Sequence, residues 1–202
     1  MLGNGDNKDS LIPNKNKYIE IAIQENPNKK IIKIDAADEY TGALTQGGDL
    51  FVWGKNNQGQ LGIGSGIGIE MTESEKFPIL VEKSAETKFI DFCCGENVMM
   101  ILDENHILHK TGRRIDYTPS IFEINKTVKP KFFFCGKSYF CMIDLSGRIY
   151  QWGKLFNQSK AEKTDSDMSQ LKTDPFLGKE IITMGGKYKV CGAIVRENQS
   201  SE

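Results

Sequence analysis

Asp49-Leu50-Phe51-Val52-Trp53-Gly54-Lys55-Asn56-Asn57-Gln58-Gly59-Gln60-Leu61-Gly62-Ile63-Gly64 decides how this chain is read. An apolar and aromatic run ends in Trp-Gly, a polar turn follows, and Leu-Gly-x-Gly closes the stretch. Its parts recur at fixed distances from an anchor, the small residue that follows an apolar run: Ala37, Gly95 and Gly136. Eleven positions on lie Gly48, His106 and Gly147; sixteen on lie Trp53, Thr111 and Trp152; seventeen on lie Gly54, Gly112 and Gly153. Offsets held in three copies mark a repeat architecture, in which units of roughly 20–50 residues or slightly more stack on one another.

The flanking segments extend the pattern. Leu61-Gly62-Ile63-Gly64 precedes Gly95 much as Leu2-Gly3-Asn4-Gly5 precedes Ala37, so the chain opens inside a repeat. Ile181-Ile182-Thr183-Met184-Gly185-Gly186 restarts it near the other end, with Gly185 as the expected anchor and no Trp-Gly after it. The anchors are then 58, 41 and about 49 residues apart (37 to 95, 95 to 136, 136 to 185), as expected if insertions fall in loops. The repeats run approximately over 1–62, 63–112, 113–153 and 154–202, within one domain.

Each repeat reads as a small antiparallel sheet. Tyr18–Ile23 and Asp49–Trp53 carry β-branched, aromatic and aliphatic side chains that suit a pleated surface. Gln46-Gly47-Gly48-Asp49 joins the run Thr41–Thr45 to the next strand, and Asp144-Leu145-Ser146-Gly147 leads into Arg148–Trp152; glycine at these tips supplies the positive φ of a tight hairpin. No window sustains a 3.6-residue apolar period, and the nearest, Lys160–Lys172, is mostly charged and polar. The chain is expected to be nearly all β.

The stretch from Asp49 to Gly64 resembles the signature of the RCC1 repeat, the blade unit of the regulator of chromosome condensation family. Leu2-Gly3-Asn4-Gly5-Asp6 with Pro13 is similar to the end of that signature. Ile34–Thr45 resembles the preceding strand pair, with Tyr40 where the family has His and Ala37 where it has Gly. The second repeat departs, with Thr111 for Trp and no Gln-Leu-Gly; the third keeps Arg148-Ile149-Tyr150-Gln151-Trp152-Gly153 and then diverges. The resemblance implies a seven-bladed β-propeller of four-stranded blades, of which this chain holds about three and a half. The residues expected to carry the repeat are Trp53, Gly54, Gly59, Leu61, Gly62, Gly95, Gly136, Gly147, Trp152 and Gly153. Trp53 and Trp152 should lie between blades, and the glycine after each should turn the backbone out of its strand.

Closed propellers use about four to eight blades, so three and a half leave raw blade faces. Either the chain is part of a longer product, or a partner or second copy completes it, or it closes as a small irregular ring.

Composition bounds the rest. The 202 residues can bury one substantial core, and the formal net charge of −1 (26 basic, 27 acidic side chains) provides no basic stripe for nucleic acid. Lys29, Lys30 and Lys33, and Lys129 with Lys131, read as solvated loop charges. No run of about 18 apolar residues and no signal-like beginning is present. Five cysteines (Cys93, Cys94, Cys135, Cys141 and Cys191) sit in apolar runs, which fits small, reduced core residues of an intracellular protein, cytoplasmic or alternatively nuclear. No Cys-x-x-Cys occurs, and His106 and His109, three apart in a strand, should face opposite ways, so no metal is expected. Gly62–Gly68 is rich in glycine but continues the repeat's own turn without a basic anchor, and Glu70, Glu73 and Glu75 fall in a polar inter-blade loop. No catalytic residue and no cofactor is expected.

The expected function is a non-catalytic protein-interaction module whose rim is formed by loops 65–77 and 158–175, docked in a larger assembly. The resemblance implies an alternative, nucleotide exchange on a Ran-like small GTPase, although no residue here matches the family's exchange surface. It also allows a regulatory piece of a larger ligase or kinase-like protein.

Overall fold

The structure, a computed structural model, describes residues 2–5, 12, 15–24, 30–64, 73–83, 86–112, 116–122, 128–137, 139–153, 169–170, 179–187 and 190–197. The chain forms two compact units, Met1–Phe122 and Glu123–Glu202. In the first, helix α1 (Lys17–Gln24) precedes a four-stranded antiparallel sheet, β1 (Ile31–Ala37), β2 (Tyr40–Thr45), β3 (Leu50–Lys55) and β4 (Ser74–Leu80), in that order. A second sheet follows, β5 (Phe89–Cys94), β6 (Val98–Asp103), β7 (Leu108–Gly112) and β8 (Asp116–Ile121). The second unit repeats the meander with β9 (Pro130–Cys135), β10 (Tyr139–Asp144), β11 (Ile149–Gly153) and β12 (Ser169–Gln170), then adds a hairpin of β13 (Lys179–Lys187) and β14 (Val190–Glu197). The fold is nearly all β, and its sheets are blades of a partial propeller.

The strand registers superimpose the blades residue by residue. Ala37 pairs with Tyr40, Cys94 with Met99 and Cys135 with Phe140, which makes Ala37, Gly95 and Gly136 equivalent as the repeat spacing requires. Every first strand also carries a bulge at one register position, where Ile32, Ile90, Lys131 and Ile182 are skipped and point outward. A bulge adds twist and is characteristic of splayed sheets. Three of the four are isoleucines and the other is a lysine, all exposed, and an isoleucine in a strand-like run does not by itself mark a bulge.

The same registers move the last anchor. Lys187 pairs with Val190 as Ala37 pairs with Tyr40, so Lys187 and not Gly185 is the equivalent position. Gly185 and Gly186 lie inside β13, paired with Gly192 and Cys191. The extended strand tolerates both glycines, so the first small residue after the apolar run lies two positions before the structural equivalent of the anchor.

A further difference is α1. Tyr18–Ile23, expected as a strand, is helical because the Asn16 side chain caps it: its Oδ1 accepts the N–H groups of Tyr18 (3.1 Å) and Ile19 (3.2 Å), while its Nδ2 donates to the carbonyls of Leu2 and Gly3. Tyr18 then packs edge-on against Phe77 of β4, ring centroids 4.8 Å apart. The β-branched side chains favour a strand only weakly, and the cap with this tertiary contact outweighs them. Of the polar window Lys160–Lys172, Ser169 and Gln170 form β12 and the remainder lies outside the described residues.

Hairpin tips follow the expectation. Gly48 and Gly147 both have φ +85°, and the third equivalent, His106, is held at φ +59° without being glycine. Left-handed backbone costs a side-chain-bearing residue about 1–2 kcal/mol. His106→Gly is therefore expected to stabilise the chain by about 1 kcal/mol, read as a rise in thermal midpoint, even after the extra backbone entropy of glycine.

Candidate interaction site

The repeat residues are consumed by packing, and the junction between the first two sheets shows how. Tyr40, Leu44, Leu50, Val52 and Leu61 share one core with Phe89, Phe92, Cys94, Met99 and Ile101. The Phe92 ring lies over Gly42, where a β-carbon would come within 2.6 Å of Cε2, so glycine there makes room for the ring. Polar groups add register: the buried Tyr40 hydroxyl donates to the Val98 carbonyl (2.9 Å), and the Asp35 carboxylate accepts the Cys94 N–H (2.8 Å). Lys33, expected as a solvated loop charge, sits in β1 and pairs with Asp91 at 2.5 Å. Lys131 lies in β9, exposed, with its ammonium 5.3 Å from the Phe132 ring centroid.

The Leu-Gly-x-Gly segments clamp the next repeat. Gly62 lies against Thr111 and Gly3 against the Trp53 indole, each so close that a β-carbon would meet the neighbour at 2.6 and 2.8 Å. Residues at the same offset, Trp53 and Thr111, are thus covered by the same piece of repeat. The Thr111 hydroxyl also donates to the Gln60 carbonyl at 2.8 Å. Gly59 shapes the preceding turn with φ +76°, its N–H donating to the Asn56 carbonyl, and the Asn56 side chain accepts the Leu61 N–H. Trp152 is buried as well.

The glycine after each of these residues has a steric cause. Gly54 and Gly112 have φ +108° and +104°, and a β-carbon would lie 2.3 Å from the Glu39 carbonyl oxygen or 2.2 Å from that of Asn97. The anchors Gly95 and Gly136 make equivalent bonds, donating to the carbonyls of Val98 and Tyr139 at 2.8 Å each. Gly153 ends β11, paired with Tyr139.

Polar clusters sit at the hairpin turns. Asp144 accepts the N–H groups of Ser146 and Arg148 through one oxygen and the Arg148 guanidinium through the other, with the Tyr150 hydroxyl at 3.4 Å. Burial alone lifts its pKa, but the Ser146 hydroxyl and the Arg148 bonds outweigh it and hold the carboxyl below its ordinary value of 3.8. Burial, then the Asp144 charge, raises the Tyr150 phenol. A depressed carboxylate stabilises the fold above its unfolded pKa, and that contribution is lost as pH falls through the folded value. Asp144→Asn is therefore expected to be less stable than wild type at neutral pH, with the gap in thermal midpoint shrinking under acid.

In the second sheet Asp103 plays the turn role, and its second oxygen meets His109 Nε2 at 2.9 Å. His106 and His109 do not share a strand as expected: His106 is in the turn and His109 in β7. Gly62 and Gly64 have φ +64° and +80°, and the Glu82 carboxylate lies beside Gly64, an unfavourable neighbour for a phosphate. Cys93, Cys94, Cys135 and Cys141 are buried free thiols. Among the described residues no cluster of three or more metal-ligating side chains occurs, and no helix is long and apolar enough to cross a membrane.

Residues 65–72 of the first expected rim loop, including Glu70, lie outside the described residues, as does most of 158–175. Ser74–Phe77, expected as loop, form the start of edge strand β4, because Ser74 and Glu75 pair with Lys55 and Gly54. The Glu73 carbonyl accepts the Asn56 N–H. Beside it Asp38, Glu39, Lys55, Asn57, Glu73 and Ser74 line a cavity of about 360 Å3, in which Lys55 pairs with Glu39.

Comparison with known proteins agrees with these blades. Residues 47–102 match the family model described as the regulator of chromosome condensation (RCC1) repeat. The human E3 ubiquitin-protein ligase HERC2 is 25% identical over 212 residues, covering 98% of this chain and 4% of its own length. The human RCC1-like G exchanging factor-like protein is 34% identical over 109 residues, covering 53% of this chain and 22% of its own. Among solved structures, Prp20p from Saccharomyces cerevisiae, whose crystal structure was described with its binding properties to Gsp1p and histones, superimposes with a TM-score of 0.68 at 18% identity, over 84% of this chain and 44% of that one. The chain spans less than half the length of each of these proteins.

Proposed function

The chain belongs to the RCC1-repeat family as a partial propeller, and from that premise we propose that it is a non-catalytic protein-docking module working within a larger assembly. The observation that carries this reading is the junction of the first two sheets. There the signature residues Leu61 and Gly62, with Tyr40 and Phe92, are spent on holding the blades in register, which leaves recognition to the loop ends of a rigid frame. The near-complete match to a small fraction of the HERC2 ligase supports a role inside larger assemblies. Protein partners follow from this reading; nucleic acid, cofactor and metal do not. The four buried thiols support an intracellular setting, cytoplasmic or nuclear, which imaging of the tagged chain in its source cells would resolve. Affinity capture of the tagged chain from those cells, with a salt wash and mass spectrometry, tests the module. A stoichiometric protein partner is expected, and a folded chain that retains none contradicts the reading.

A second reading is nucleotide exchange on a Ran-like GTPase. It is favoured by the match to the exchanging factor-like protein and by the Gsp1p binding recorded for Prp20p. Preferential capture of a small GTPase from chelator-treated extract would move this reading to first place.

A further inference from the structure

Several lysines of these blades are occupied: Lys33 pairs with Asp91, Lys83 with Asp49, and Lys110 lies over the Phe122 ring. Lys30, Lys88 and Lys129 are not. All three are exposed, and among the described residues no ion pair, hydrogen bond or ring engages their ammonium groups. They also share one place in the repeat, seven positions before the anchors Ala37, Gly95 and Gly136. The backbone there is fixed, because each lysine carbonyl accepts an N–H from the following hairpin turn: Gln46 to Lys30 at 2.8 Å, Glu104 to Lys88 at 2.9 Å and Leu145 to Lys129 at 2.9 Å. The equivalent counted from Lys187 is Glu180, so the lysine belongs to the three four-stranded blades.

The company of these lysines narrows what they meet. Two positions after Lys30 and Lys88 stand the bulge residues Ile32 and Ile90, 54% and 42% exposed. β1 and β5 lie side by side, tied by the Lys33–Asp91 pair and by the Asp35 bond to the Cys94 N–H, so the first unit presents two lysines and two isoleucines on neighbouring strands. A lysine kept for solubility needs neither a fixed repeat position nor an exposed isoleucine beside it. Each ammonium offers three donors and a full charge to a carboxylate, and each isoleucine offers apolar area to be taken from water. We propose that this edge receives an acidic protein segment, with carboxylates on Lys30 and Lys88 and apolar side chains on Ile32 and Ile90. A nucleic-acid backbone fits less well, because Glu104, whose N–H bonds the Lys88 carbonyl, brings an exposed acidic residue to the same corner and the chain's net charge is −1. In the third blade Lys131 stands at the isoleucine position, so that blade carries charge there in place of apolar area. The inference rests on the docking reading and names the chemistry of the docked partner.

An NMR titration of the isotope-labelled full chain tests it. The probe is a short synthetic peptide of glutamates and leucines, compared with the same peptide carrying lysine for glutamate, with duplex DNA and with anionic lipid vesicles. Amide shifts are expected at residues 30–32 and 88–90 with the acidic peptide alone, saturating with peptide and weakening as salt rises. Lys30→Glu combined with Lys88→Glu should raise the dissociation constant about tenfold or more. Ile32→Ser combined with Ile90→Ser should raise it roughly fivefold. Lys76→Glu, at an equally exposed and unengaged ammonium on β4, should leave it unchanged. All these positions are exposed, so thermal midpoints should show the variants folded. Absence of shifts at the highest soluble peptide concentration overturns the proposal, as does binding that ignores both double changes. Shifts at these residues with DNA or vesicles but not with the peptide overturn it as well, and would make the edge a phosphate surface. A native protein partner captured equally by wild type and by the chain carrying both lysine reversals would overturn it while leaving the docking function standing.

Discussion

Gly54→Ala is expected to cost roughly 3 kcal/mol or more, a large share of the roughly 5–15 kcal/mol that holds a domain folded. Two causes act together. The backbone there has φ +108°, which a side chain disfavours, and the new carbon would lie 2.3 Å from the Glu39 carbonyl oxygen and 2.6 Å from the Tyr40 Cα, neither of which can yield without breaking the β1–β2 turn. Gly147→Ala is the control: its φ is +85°, but open space surrounds it, so only the conformational cost of about 1–2 kcal/mol applies. Urea denaturation of the two variants should separate them clearly. Equal losses would mean that backbone conformation alone explains the glycine after each Trp or Thr.

The second large effect is at the junction of the first two blades. Phe92→Ala should cost about 3–5 kcal/mol, because the ring is fully buried and leaves a cavity against Gly42 and Leu44. Gly42→Ala in wild type should cost about 1–3 kcal/mol by overpacking the ring edge. With the ring removed the same alanine fits and should become neutral or favourable, so the two changes should couple by more than about 1 kcal/mol in a double-mutant cycle. Additive losses would show that Phe92 does not occupy the Gly42 socket in solution.

Much of this was legible because it is written in residue types with one physical use. Trp53-Gly54 and Leu61-Gly62 recur because a large ring must be clamped and a backbone must approach closely; Gly48 and Gly147 recur because a two-stranded turn needs positive φ. What stayed hidden depends on backbone pairing or on distant contacts. The bulge at Ile32, Ile90, Lys131 and Ile182 is a register shift, and the isoleucine at three of these positions looks like any other strand residue until the pairing is known. The helix at Lys17–Gln24 comes from Asn16 reaching back to Leu2 and Gly3 and from Tyr18 meeting Phe77 across some sixty residues of chain. The last anchor slipped by two because Gly185-Gly186 mimics it in sequence while lying in a paired strand. The site itself was legible only as loops. That Lys30 and Lys88 each stand two residues before an exposed bulge required the registers first.

The non-catalytic reading is tested most directly by release of a fluorescent guanine nucleotide from a Ran-type GTPase, followed with increasing amounts of the chain. The release rate is expected to stay at its intrinsic value throughout the titration. A rate that climbs and saturates, with each copy of the chain discharging several GTPases, would contradict it and make exchange the function.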